Sequence, residues 1–212
     1  RLDAAAEPLA GRRVVPGDDV AAFVRRRVAG TAGRGIPQED VGTGARHQLG
    51  IDRRVIGEDA ELAGRAGEQA FARAPFSAPT MLMEDLHRDM IGTRGGAVAF
   101  AQFHGDRANL SFTGVGNIGA SLLTADKSRG LASHPGIVGS QYRKAQPFDY
   151  AHVNGHLLIM YSDGLQSRWN LQDYPGLVHR HPAVIAAILH RDFCRGRDDV
   201  TVLVVALEAA HG

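Results

Sequence analysis

Cysteine is nearly absent: Cys194 stands alone among 212 residues, so no internal disulfide and no cysteine-built zinc cluster can form. A reducing cytoplasm suits such a chain. Lysine is almost as scarce. Lys127 and Lys144 are the only two, and arginine supplies the rest of the 24 basic residues. With abundant alanine and glycine, that bias points to a GC-rich genome rather than to an arginine-dependent function. Basic and acidic residues nearly cancel at a net charge of +1, so no broad field draws nucleic acid or a membrane surface. No apolar run approaches the roughly 18 residues of a membrane span, and no charged-then-apolar leader opens the chain. A start at Arg1 rather than Met suggests a fragment.

Catalytic words of several hydrolase classes are missing too. Neither a Gly-x-Ser-x-Gly elbow nor a His-Glu-x-x-His helix occurs. Cys194-Arg195 invites a cysteine-phosphatase reading, but that chemistry needs an arginine to close its phosphate loop, and at that spacing stands Val200. Cys194 reads instead as a small buried residue.

What is present divides near residue 70. Before Phe71 the single aromatic is Phe23, and apolar runs are short. Residues 1–70 form an N-terminal segment, and 71–208 carry the stronger signals. Asp19–Val28 reads as a short helix, capped by Asp18 or Asp19, with Val20, Phe23 and Val24 on one face. Gly30–Gly50 is glycine-rich and reads as loop. Glu58–Phe71 reads as a weak helix. This part cannot bury much apolar area alone, so packing on the rest must order it.

Beyond the seam, Thr80–Ile91 carries Leu82, Met83, Leu86 and Met90 on one stripe, between Pro79 and Gly92, and predicts a helix. Ala97–Phe103 is an apolar strand suited to burial on both faces. Asn109–Val115 alternates as a strand. Gly116-Asn117 then reads as a hairpin turn into the strand Ile118–Leu123. His156–Ser162 is a buried strand. His181-Pro182 opens a helix that turns Ile185, Ile188, Leu189 and Phe193 inward. Asp199–Leu207 closes as a β-branched strand. Strands grouped in meanders between helices predict an α+β fold of antiparallel sheets with helices outside.

Two acidic strand ends carry the chemistry. Tyr161-Ser162-Asp163-Gly164 ends a buried strand in a carboxylate, with a glycine that lets the backbone turn away. Gly196-Arg197-Asp198-Asp199-Val200 puts two acids at the mouth of the last strand. Carboxylates at sheet rims suit Mg²⁺ or Mn²⁺, which take oxygen ligands and keep several waters. Each word alone also serves structure: Asp-Gly is a common turn, and Asp-Asp protects an edge.

The surrounding words give the pair its meaning. GVGNI at 114–118, SHPGIVG at 133–139, SDGLQSRW at 162–169, YPGL at 174–177, HPAVIAAILHRDF at 181–193 and GRDDVTVLVV at 196–205 follow in order. This series, spanning about 135 residues from Phe71 to Leu207, resembles the SpoIIE branch of the PP2C-like (PPM) serine/threonine phosphatases, especially its RsbX-like bacterial members. The resemblance implies a sandwich of two antiparallel β-sheets flanked by helices, with two Mn²⁺ or Mg²⁺ ions at one end. It implies Asp163 and Asp198 as metal aspartates and the Gly164 carbonyl as a lesser ligand. Asp199 substitutes for Asp198 or supports it from behind. Water activated by the ions attacks phosphoserine or phosphothreonine in line, with no covalent enzyme intermediate. The implied partner is a phosphorylated bacterial regulator, such as an anti-sigma-factor antagonist in a partner-switching pathway. Arg197 either pairs with Asp198 or meets substrate phosphate, and His134 either serves its turn or approaches that phosphate.

One family word is missing. An Asp-Gly-x-Gly-His-Gly-like turn, whose aspartate bridges both ions, belongs before the first long helix. There this chain reads Val-Ile-Gly-Glu-Asp-Ala over 55–60. Glu58 and Asp59 offer carboxylates but not the glycine-rich turn. The acidic-Gly-Asp word of the first strand is also missing, unless Asp18 or Asp19 is its remnant. A domain that keeps the fold and grips a partner without hydrolysis is the alternative. His179 and His181 read as surface residues, and Trp169 and Tyr174 as packing for a helix after Asp163.

Overall fold

The protein's structure, a computed structural model, describes residues 20–26, 41–43, 58–74, 77–93, 95–196 and 200–208. Among these residues, nine strands form two antiparallel sheets, and three helices cover their outer faces. The first sheet combines β1 (Val20–Arg26), β2 (Val41–Thr43), β3 (Ala97–His104), β4 (Asn109–Val115) and β7 (Phe148–Tyr150), in the order β2-β1-β3-β4-β7. The second combines β5 (Ile118–Leu123), β6 (Ser128–Gly130), β8 (Leu157–Ser162) and β9 (Val202–Ala206), in the order β6-β5-β8-β9. The expected two-sheet sandwich is therefore the observed architecture.

Strand alternation explains how three cores arise from two sheets. Leu158 and Met160 of β8 point between the sheets, where they meet Phe103, Leu110, Phe112 and Leu203. Leu157, Ile159 and Tyr161 point outward under α3 (Pro182–Phe193), against Ile185 and Leu189. Because both faces are covered, all six residues of β8 are buried. On the other side, Val98 and Phe100 of β3 meet α1 (Glu58–Arg73) and α2 (Pro79–Asp89) through Phe71, Leu82, Met83 and Leu86. Fully burying each such side chain contributes about 1.5–3 kcal/mol against leaving it in water. Proline at the first position of α2 and of α3 starts each helix where a missing N–H does no harm.

Three sequence expectations need correction. Val20–Arg26 is a strand rather than a helix, pairing with β3 from Val20↔Phe103 to Arg26↔Ala97 and with β2 on its other edge. A helix that short gains little in isolation, whereas hydrogen bonds to two neighbours satisfy its backbone. Gly116-Asn117 does not close a hairpin. β4 and β5 lie in different sheets, and the two residues form an arch from one sheet to the other. Both strands then face the same interior, with Phe112 on one side and Ala120 and Leu122 on the other. After Asp163 comes no helix but a loop with short 3₁₀ turns at Leu171–Asp173 and Leu177–His179. Trp169 stands edge-on to Tyr161 at 5.6 Å between ring centres, and Tyr174 stands edge-on to Phe193.

Candidate metal centre

The site begins where β8 runs out of apolar residues. Ser162 is 2% exposed and pairs with Ile118, the first residue of β5. Its N–H donates to the Thr201 carbonyl at 3.0 Å, and its Oγ accepts from the Thr201 N–H at 2.9 Å. Backbone and hydroxyl together thus bind the chain just before β9. Asp163 follows, half-buried, in a turn closed by the Leu165 N–H on the Ser162 carbonyl at 3.1 Å. Gly164 then offers its carbonyl to the Arg195 N–H at 2.9 Å. Leu165 bridges Cys194, itself half-buried rather than buried. Gly164 does not occupy the left-handed region, so the turn does not demand glycine for its dihedral angles.

Asp163 is therefore held on both sides by the segment that leads into β9. Arg195 is bonded to Gly164 and Thr201 to Ser162. Arg197, Asp198 and Asp199 lie outside the described residues, as do Asp18 and Asp19. Among the described residues, no group of three or more His, Cys, Asp or Glu side chains gathers as a metal site would need.

The Asp163 carboxylate has a partner that the sequence reading missed. Asn117, exposed at the tip of the arch, donates its side-chain amide to Asp163 Oδ2 at 3.2 Å. The other carboxylate oxygen, Asp163 Oδ1, is shut off from solvent. Gly-Asn carries a turn signal whatever its side chain contacts, and 46 residues separate the partners, so nothing local betrays the pair.

His134 is engaged within its own loop. Its Nε2 lies 3.0 Å from the Gln146 carbonyl and 3.3 Å from the Gln146 N–H, and its ring stacks on Phe148. Its backbone N–H donates to the Gly114 carbonyl at 2.7 Å, and its carbonyl accepts from the Gly116 N–H at 2.9 Å. The residue staples the 133–139 loop to the arch. Gly164 has one carbonyl lone pair engaged by Arg195 and a second in reserve.

Asp163 fits a hard cation in donor type and place. Its carboxylate presents oxygen donors at a strand end, the type that such a cation takes, and the Asn117 amide donates to one of the two oxygens. One described carboxylate does not make a two-ion site.

No protein-family model and no curated protein matches the sequence. Solved structures do resemble the fold. A protein from work on the bacterial stressosome, as a modular system adapted to control secondary messenger signalling, superposes with TM-score 0.63 at 21% identity, covering 88% of this chain and 98% of its own. RsbX in complex with magnesium gives 0.60 at 16%, covering 91% and 87% respectively. The catalytic domain of the serine/threonine protein phosphatase PstP, bound to two manganese ions, gives 0.57 at 15%, covering 88% and 98%. The fold is thus that of the PP2C-type phosphatases.

Proposed function

We propose that this chain is a metal-dependent protein serine/threonine phosphatase of the SpoIIE type, acting on phosphoserine or phosphothreonine of a bacterial signalling protein. The carrying observation is the position of Asp163, a strand-end carboxylate clasped by backbone bonds from both sides of the segment that bears Asp198. Position 198 is three residues from Arg195 and three from Thr201, a reach of about 10 Å from each in extended chain. That tether supports convergence of the two carboxylates. Similarity of fold to proteins bound to magnesium and to manganese supports the choice of cation.

Asp163 and Asp198 would hold the ions, with Asp199 and the Gly164 carbonyl as further oxygen donors. When bound, Mn²⁺ or Mg²⁺ supplies Lewis acidity that activates water and screens the charge of the phosphoryl group. The chain's own task is to fix its carboxylates at the rim and to receive the phosphoprotein. Arg197 is the candidate phosphate contact; the His134 ring is occupied by Gln146 and Phe148. A regulator such as an anti-sigma-factor antagonist is the proposed substrate, in keeping with the stressosome neighbour. Among the described residues no helix is long and apolar enough to cross a membrane, which accords with a proposed place in the cytoplasm.

The test is hydrolysis of p-nitrophenyl phosphate and a phosphoserine protein in excess Mn²⁺. Wild type turns over, and Asp163→Asn and Asp198→Asn do not; a wild type no faster than buffer would defeat the proposal. One observation favours a second reading, a binding module without turnover: Val-Ile-Gly-Glu-Asp-Ala stands over 55–60 in place of the Asp-Gly turn. It predicts weak or single-ion uptake by calorimetry and partner affinity indifferent to Asp163→Asn.

A further inference from the structure

We infer that Asn117 is a positioning residue for Asp163, holding its carboxylate in place for a hard divalent cation. This inference rests on the metal-dependent reading of the site. The geometry carries it in two steps. First, the arch leaves no freedom at its tip. Gly116 takes φ +86°, and a Cβ there would come within 2.7 Å of the Ala97 Cβ. Its N–H is pinned to the His134 carbonyl at 2.9 Å, and Ile118 enters its register with Ser162 at once. Asn117, between these two, is aimed by backbone on both sides.

Second, the two partners belong to connected but separate pieces. Asn117 belongs to the passage between the sheets, and Asp163 to the end of β8. A bond from Asn117 Nδ2 to Asp163 Oδ2 at 3.2 Å ties the carboxylate's orientation to the corner of the sandwich rather than to its own turn. Carboxylates that ligate metals are commonly held by such outer hydrogen bonds, and removing one lowers metal affinity by about 10–100-fold.

The experiment compares wild type, Asn117→Ala and Asn117→His by calorimetric Mn²⁺ titration and thermal melting in EDTA. Histidine carries a ring N–H at nearly the place of the asparagine amide, so it restores the donor without restoring the amide. Asn117→Ala should weaken Mn²⁺ binding about 10-fold or more, and Asn117→His should return to within about 3-fold of wild type. Equal affinity in wild type and Asn117→Ala overturns the inference while leaving the phosphatase reading intact. Equal weakening in both variants, tracking a lowered melting temperature, overturns it as well, because the residue then serves only the arch. A wild type that takes up no Mn²⁺ sinks the inference together with the reading beneath it, and is told apart because the unmutated protein is silent.

Discussion

Two carboxylates, Asp163 and Asp192, sit within the same half of the sandwich and are treated in opposite ways. Asp192 lies in the last turn of α3, where the helix dipole disfavours negative charge. Arg191 forks onto it, Nε to Oδ1 at 2.6 Å and Nη2 to Oδ2 at 2.8 Å, and the Tyr174 hydroxyl donates to Oδ2 at 2.7 Å. The guanidinium, and then the phenol, hold the Asp192 carboxyl down at about 2. Asp163 receives a neutral amide and stands at a strand end beside the mouth of β9. One is gripped by the neighbouring residue on its own helix; the other takes an amide from the arch, 46 residues away in the chain.

Substitutions can break this contrast, beginning with the largest effect. Asp163→Asn should reduce Mn²⁺-dependent turnover by more than about 100-fold, beyond the loss of an outer partner, while metal-free melting stays put. A variant that kept its rate would make the two carboxylates alike. Gly116→Ala comes next. Forcing an L-residue into the left-handed region costs about 1–2 kcal/mol, and the new Cβ presses on Ala97. Urea melts should show that loss, together with weaker Mn²⁺ binding as Asn117 is displaced; unchanged affinity would detach the arch from the site. The smallest effect belongs to Asp192→Asn, which should leave turnover and Mn²⁺ affinity untouched and change only the acid limb of stability. Because the folded pKa lies below the ordinary aspartate range, at about 2, the native carboxylate's contribution is present above about pH 4 and fades as pH falls toward 2. Acid melts of wild type and Asp192→Asn should therefore differ at pH 5 and converge near pH 2. Divergence that persists at the acid end would assign the group another role.

Much of the fold was legible because apolar runs were long. β3, β4, β5 and β8 each announced themselves through burial on one or both faces, and α2 and α3 through a stripe opened by proline. The elements that escaped are those whose reason lies elsewhere in the molecule. β6 is Ser128–Gly130, exposed throughout, and β7 is Phe148–Tyr150; three residues at a sheet edge hold no pattern of their own. β1 imitated a helix because Val20, Phe23 and Val24 fit that spacing as well as they fit a strand. The arch was mistaken for a hairpin since the same Gly-Asn word serves both, and only the partners of β4 and β5 decide between them. At the site, Asp163 could be read from the abrupt end of LLIMYS. Its amide partner could not, because that contact exists only after two sheets have come together.

The arch has a mechanical consequence. Elsewhere the passage between the sheets is longer: 17 residues separate the end of β6 at Gly130 from the start of β7 at Phe148. Between β4 and β5 there are two. That corner acts as a rivet through both layers, so neither sheet can shear over the other without dragging the Asn117 amide across Asp163. Anything that leans on the outer face of either layer is thereby geared to the angle of a single carboxylate.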